Sequence, residues 1–131
     1  MGNCIFCRII KGEIPAERIY EDETVLAFLD INPVNYGHAL VIPKDHFETM
    51  EDVPENILSK VFSKSKNLMK RIKEAMKSDF VALAVVGLDV PHFHVHLVPR
   101  YFNDGMANFW PTKKYKEGEI EEIGKKIRNF L

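Results

Sequence analysis

Residues His92-Phe93-His94-Val95-His96-Leu97-Val98 alternate an imidazole with an apolar side chain. A period of two fits a strand and fits no helix. The pattern predicts a half-buried strand, with Phe93, Val95 and Leu97 anchoring one face in a core. His92, His94 and His96 then share the other face, roughly 7 Å apart in succession. These residues hold three of the chain's 5 histidines. Imidazole is the side chain whose unperturbed pKa lies closest to neutrality, so a wall of three reads as a site for chemistry. A solvated strand face that happens to carry histidine is the plainer reading of the same pattern.

The chain has 131 residues, enough for one domain with a sizeable core. We read it as a single domain over 1–131, with the motif-bearing part over about 4–100 and a C-terminal loop and helix over 101–131. Apolar residues make up 46%, which argues against disorder. Lys and Arg total 18 against 19 Asp and Glu, so no net basic field draws nucleic acid. No apolar run reaches the length of a membrane span, and the first residues lack a signal peptide's basic start and apolar core. The expectation is a cytoplasmic protein with neither nucleic acid nor membrane as partner.

Cys4 and Cys7 are the only cysteines, spaced Cys-x-x-Cys. A disulfide across that spacing staples almost nothing. The pair reads as a metal clip or a redox pair, and a metal clip needs two further ligands for a zinc.

Ile5, Phe6, Ile9 and Ile10 recur at helical spacing, so Cys4 to Lys11 reads as a short helix ended by Gly12. Arg18 to Glu21 and Val25 to Leu29 flank Asp22-Glu23-Thr24 as a hairpin. His38 to Ile42 reads as a buried strand closed by Pro43. A long helix follows, with Asp52 and Glu55 placed for a capping box and Pro54 in the first turn. Its apolar face carries Leu58, Val61, Phe62, Ser65, Leu68, Met69, Ile72 and Met76. Lys60, Lys64, Lys66, Lys70, Arg71 and Lys73 form a solvated basic stripe without aromatic residues for stacking bases. Phe80 to Val86 reads as a central strand, leading through a turn into the histidine strand, which ends at Pro99. Ile120, Ile123, Ile127 and Leu131 mark a last amphipathic helix from about Glu119. Strands joined by short turns favour an α+β fold: an antiparallel sheet of about five strands with helices on one side.

If the strand from His38 lies beside the histidine strand, His38 reaches the same wall. Three chemistries compete there: nucleophilic attack of an imidazole on phosphorus, a catalytic three-histidine zinc site with an open position, and phosphate binding without turnover.

His92-Phe93-His94-Val95-His96-Leu97-Val98 matches the motif His-φ-His-φ-His-φ-φ, with φ hydrophobic, of the histidine-triad family. Cys4-Ile5-Phe6-Cys7-Arg8-Ile9-Ile10-Lys11-Gly12-Glu13-Ile14-Pro15 resembles the family's opening segment. Tyr20-Glu21-Asp22-Glu23 to Phe28-Leu29-Asp30-Ile31 resembles its first hairpin, and Gly37-His38-Ala39-Leu40-Val41-Ile42-Pro43-Lys44 its third strand. The resemblance runs in order from Cys4 to Arg100. It points to the nucleoside-phosphoramidase or dinucleoside-polyphosphate hydrolase type.

The resemblance implies a hydrolase acting at the α-phosphorus of a nucleoside 5′-phosphate derivative through a nucleotidyl-histidine intermediate. His94 matches the nucleophile, oriented by the carbonyl of His92. His96 and His38 match histidines around the phosphate. Asp30 matches the carboxylate on the ribose hydroxyls. Phe6, Ile9, Phe28 and Ile31 match the apolar pocket for a purine base. Some members with this Cys-x-x-Cys opening hold a structural zinc, here implying Cys4, Cys7, His46 and His92, with no cofactor required for catalysis. A homodimer is implied as well. The rival is a nucleotide-binding or adaptor protein with little turnover.

One segment departs from the family. Members usually place Gly-Gln-Ser/Thr, preceded by Asn, before the first triad histidine, in contact with phosphate oxygens and the leaving group. This chain has Leu88-Asp89-Val90-Pro91, which leaves the leaving group and the rate open. After Arg100, Phe109, Trp110 and Tyr115 are candidates for the leaving-group side or for a subunit interface.

Overall fold

The structure is a computed structural model that describes residues 2–106 and 111–130. The chain begins with α1 (Ile5–Ile10), whose N-cap is Cys4: its Sγ accepts from Cys7 N–H at 3.4 Å. Gly12, at φ +81°, turns the chain away after the helix. Next come β1 (Arg18–Glu21) and β2 (Val25–Leu29). Asp22 closes their turn, its Oδ1 accepting from Thr24 N–H and Val25 N–H, each at 2.8 Å. Arg18 reaches back from β1 to the carbonyl of Ile9, which ties α1 to the sheet.

The remaining elements are β3 (Ala39–Pro43), a 3₁₀ turn (Met50–Asp52), α2 (Glu55–Met76), β4 (Phe80–Ala84), β5 (Val95–Arg100) and α3 (Glu119–Arg128). The five strands form one antiparallel sheet in the order β1-β2-β3-β5-β4. The fold is α+β, with one long helix, a short N-terminal helix and a C-terminal helix.

Two apolar layers sandwich the sheet. Val25, Ala27, Ala39, Val41, Val95 and Leu97 pack with Val61, Leu68 and Ile72 of α2 on one face. Leu26, Phe28, Leu40 and Ile42 pack with Phe6 and Ile9 of α1 on the other. Helices on one side only is therefore corrected: α1 and α2 cover opposite faces. The unbroken apolar runs of β2 and β3 are the physical sign, because alternation disappears when both faces are buried.

Three further expectations are corrected. Phe80 to Val86 is not central: β4 is the edge strand, and Leu83, Val85 and Val86 are 40%, 37% and 54% exposed. An apolar run reports demand for burial, not position in one chain's sheet. No capping box forms at α2. Pro54 is the N-cap, its carbonyl accepting from Ile57 and Leu58, while Asp52 ends the 3₁₀ turn and accepts from Thr49 Oγ1 at 3.1 Å. The paired part of the histidine strand starts at Val95, because Phe93 N–H is taken by the carbonyl of Phe47 at 2.6 Å.

α3 starts at Glu119 as expected, but none of its described residues is buried; Ile120, Ile123 and Ile127 stay 56%, 41% and 61% exposed. Phe109 and Trp110 lie outside the described residues, and Tyr115 is exposed. Among the described residues no helix is long and apolar enough to cross a membrane.

Candidate functional site

β5 lies between β3 and β4, with His96 opposite Leu40. Leu40 faces the α1 layer, so His96 faces it too. His94, two residues earlier, falls on the same face: its ring meets Phe6 edge-on at 5.1 Å between centroids. The His94 and His96 rings are 4.9 Å apart, closer than the strand repeat, because they tilt towards each other. His38 enters from the start of β3, its ring 5.2 Å from that of His96. The predicted shared wall of His92, His94, His96 and His38 is thus assembled by the β3–β5 pairing.

Each ring has a partner that sets its tautomer. A carbonyl only accepts, so His94 Nδ1–H donates to the carbonyl of His92 at 2.7 Å. The lone pair of the His94 ring then lies on Nε2. His92 Nε2–H donates to the carbonyl of Pro43 at 2.9 Å, leaving its lone pair on Nδ1. Val34 N–H donates to His38 Nδ1 at 3.0 Å, which puts the His38 proton on Nε2. That proton is shared with His96 Nδ1 at 3.0 Å. His96 Nε2–H is buried with no partner among the described residues, a donor available to a phosphate oxygen.

Charge follows the same logic. Burial pushes His38 below its ordinary pKa against the pull of Asp30. Burial, then His94 and His38, pushes His96 down, while Asp30 and Asp89 oppose the shift. Asp30 Oδ2 lies 3.7 Å from His38 Nε2, and its Oδ1 accepts from Asn32 N–H at 2.9 Å. Asp30 is therefore both a turn residue and a carboxylate at the rim of the histidine wall.

Asp30, His38 and His96 bring potential ligand atoms within 4.8 Å of one another. His38 cannot serve that set as it stands. With Nδ1 accepting from Val34, Nε2 carries the proton and has no lone pair for a metal.

Phe6, Ile9 and Phe28 are buried with Leu26, Leu40 and Ile42, and Phe6 meets Phe28 edge-on at 5.4 Å. They are core residues first, with Phe6 meeting His94 edge to face. Ile31, by contrast, is 89% exposed and open to a ligand.

On the other side of His92 a second cluster forms. Cys4 Sγ and Cys7 Sγ lie 3.5 Å and 3.6 Å from His92 Nδ1, and His46 Nδ1 lies 3.3 Å from Cys7 Sγ. Both cysteines are free thiols, and burial beside Cys4 pushes the Cys7 thiol up.

A family model described as the HIT domain matches residues 11–103. The chain belongs to the HIT family. This HIT chain is 41% identical over 133 residues to an uncharacterized HIT-like protein of Methanocaldococcus jannaschii, covering 95% of this chain and 98% of that relative. It is 36% identical over 134 residues to an adenosine 5′-monophosphoramidase of Saccharomyces cerevisiae, covering 98% of this chain and 80% of the yeast protein. The crystal structure of a zinc-bound histidine triad family protein from Mycobacterium smegmatis matches with a TM-score of 0.77 and 33% identity, over 98% of this chain and 92% of that one.

The second cluster of this HIT chain fits a closed tetrahedral metal. With Zn–S of about 2.3 Å and Zn–N of about 2.0 Å, ligand atoms stand roughly 3.3–3.8 Å apart. The sulfur-to-nitrogen distances of 3.3, 3.5 and 3.6 Å fall in that range. His92 Nδ1 presents its lone pair towards the thiols because Nε2 is committed to Pro43. Cys4, Cys7, His46 and His92 can therefore hold a metal ion.

Sequence reasoning missed Val34 and Pro43, whose backbone groups set two of the tautomers. No side-chain signal marks such residues, since an amide or a carbonyl is present at almost every position.

Proposed function

We propose that this HIT protein hydrolyses a nucleoside 5′-phosphate derivative, a phosphoramidate or a dinucleoside polyphosphate, at the α-phosphorus. The observation that carries the reading is the His94 tautomer: Nδ1–H is held by the carbonyl of His92 at 2.7 Å, so Nε2 is free to bond phosphorus. The yeast relative's name as an adenosine 5′-monophosphoramidase supports the same reaction class.

In this mechanism the His94 Nε2 lone pair attacks the α-phosphorus. The bond from phosphorus to the leaving nitrogen or oxygen breaks, its electron pair departs with that atom, and solvent supplies the proton. Water then attacks the nucleotidyl-His94 phosphorus, His94 leaves with its electron pair, and the water's proton returns to solvent. His96 Nε2–H donates a hydrogen bond to a phosphate oxygen whose charge grows in the transition state. His38 orients His96 through their shared proton. Asp30 accepts from the ribose hydroxyls, and Ile31 with the edges of Phe6, Ile9 and Phe28 borders a purine.

We assign zinc to Cys4, Cys7, His46 and His92, the donor set being Cys₂His₂. The metal's part is structural: it ties the α1 segment to the backbone that orients His94. We further read the protein as a cytoplasmic homodimer, since β4 offers an apolar edge to a second copy.

Turnover of a panel tests the reading: adenosine phosphoramidate, adenylyl-lysine, and diadenosine tri- and tetraphosphate. Release of AMP from at least one class is the expected result. Nucleotide binding without turnover of any would replace the hydrolase with the adaptor.

A further inference from the structure

A neutral imidazole carries one proton, so neighbouring rings constrain one another. His38 Nδ1 accepts from Val34 N–H at 3.0 Å, and His38 Nε2–H therefore faces His96 Nδ1, also at 3.0 Å. His96 then carries its own proton on Nε2, the buried atom with no partner among the described residues. If Val34 N–H swings away, His38 is free to turn its ring or to take its proton on Nδ1. Either change withdraws the proton from His96 Nδ1. The donor that His96 turns towards the cleft thus depends, through two rings, on where one backbone amide stands.

Apolar packing does not hold that amide. In the loop before β3, Ile31, Val34 and Tyr36 are 89%, 52% and 82% exposed. The ties are polar. Asn32 N–H reaches Asp30 Oδ1 at the start of the loop, and Asn35 acts at its end. The Asn35 carbonyl accepts His38 N–H at 3.0 Å, closing a turn in which Gly37 sits at φ +96°. The Asn35 side chain donates from Nδ2 to the carbonyl of Pro99 at 2.8 Å, and Asp104 Oδ2 lies 3.5 Å from the same nitrogen. Pro99 is fully buried in β5, the strand that carries His96. Asp104 is locked in turn by Arg100 Nε at 2.7 Å and Tyr101 N–H at 3.1 Å. The backbone of His38 has a separate anchor, its carbonyl accepting Asp30 N–H at 2.9 Å. Asn35 therefore governs the place of Val34 more than that of His38 itself.

We infer that Asn35 is a positioning residue: it clamps the Val34–His38 turn to β5 and so keeps the His38 proton on His96 and the His96 Nε2–H aimed into the cleft. The effect on turnover rests on the hydrolase reading of the His94 site; the effect on the His38 ring does not.

The test follows the His38 Nε2 proton by NMR in ¹⁵N-labelled protein at about pH 8, where an imidazole is neutral. The wild type should show it as a hydrogen-bonded resonance on Nε2, protected from exchange with water. Asn35→Ala should speed that exchange by about tenfold or more, while the backbone amides of Leu40 and Val41 in β3 change by less than about twofold. With adenosine phosphoramidate as substrate, kcat should fall about fivefold and KM should stay within about twofold. Asn35→Ser, whose hydroxyl is too short to reach Pro99, should behave in the same way and serves if the alanine variant does not fold. Unchanged exchange of the His38 proton in a folded variant overturns the inference. So does a rise shared equally by the β3 amides, which is the mark of a merely structural residue, and so does an unchanged kcat in a folded, active variant. A wild type that turns over neither phosphoramidates nor dinucleoside polyphosphates overturns the hydrolase reading, and the exchange measurement then decides the clamp by itself.

Discussion

The carbonyl oxygen of His92 holds the Nδ1 proton of His94 at 2.7 Å, while the ring of His92 turns the other way, Nδ1 towards Cys4 and Cys7. One residue thus belongs to both clusters, by its backbone to His94 and by its side chain to the thiols. In the proposed mechanism, replacing His94 removes the bond-forming lone pair and little else. His94→Ala is expected to lower kcat by at least about a thousandfold, with nucleotide affinity changed only a few-fold. Single-turnover kinetics with a trapped nucleotidyl-enzyme in the wild type, and none in the variant, is the measurement. Near-normal kcat in the variant would sink the mechanism.

Metal removal should act on stability before it acts on chemistry. The binding free energy of a structural metal is partly folding free energy. Chelator should lower Tm by several degrees and release about one zinc per chain, as read by elemental analysis. Cys4→Ser with Cys7→Ser should abolish that zinc. Unchanged zinc content in the double variant would show that the ligands are wrong.

The buried histidines give stability a definite pH dependence. Burial lowers the folded-state pKa of His38 and His96. Below about pH 6.5 the unfolded chain takes up protons that the folded chain refuses. Stability is therefore full above that value and is lost as pH falls towards the folded values. His38→Gln should flatten the pH dependence of urea unfolding between pH 7 and 5 by up to about 1.4 kcal/mol per pH unit. Equal slopes in variant and wild type would contradict the assignment.

β4 predicts the oligomer. Its outer edge has no strand partner among the described residues, and Leu83, Val85 and Val86 are exposed. Light scattering at micromolar concentration should give twice 15.1 kDa. Leu83→Lys should shift the equilibrium towards the monomer, because a lysine on an apolar edge strand opposes pairing. A wild-type monomer would reject the homodimer.

Gly37 is held at φ +96°, and a Cβ there would come within 2.7 Å of Met76 Cγ and 3.1 Å of its Sδ. The flexible Met76 can yield part of that space, but the backbone conformation stays strained for an L residue. Gly37→Ala should cost about 1–3 kcal/mol in chemical denaturation. A loss under about 0.5 kcal/mol would show that the segment before His38 adapts freely.

Much of this protein follows from local pattern. The alternation at His92–Val98 predicts the histidine wall, and Asp22-Glu23-Thr24 between Arg18–Glu21 and Val25–Leu29 predicts the β1–β2 hairpin. The helical spacing from Leu58 to Met76 predicts α2. These signals are legible because side-chain direction repeats with the local backbone period. What the local pattern did not contain was decided by packing. Placing α1 and α2 on opposite faces depends on which layer each strand face meets. The edge position of β4 depends on β5 pairing with β3 first. Val34 and Pro43 set two histidine tautomers through an amide and a carbonyl that almost every residue carries, so only their place in three dimensions distinguishes them. The triad's identity is thus written in the sequence. The division of its rings between the His94–His96–His38 wall and the Cys4–Cys7–His46 cluster exists only once the strands pair.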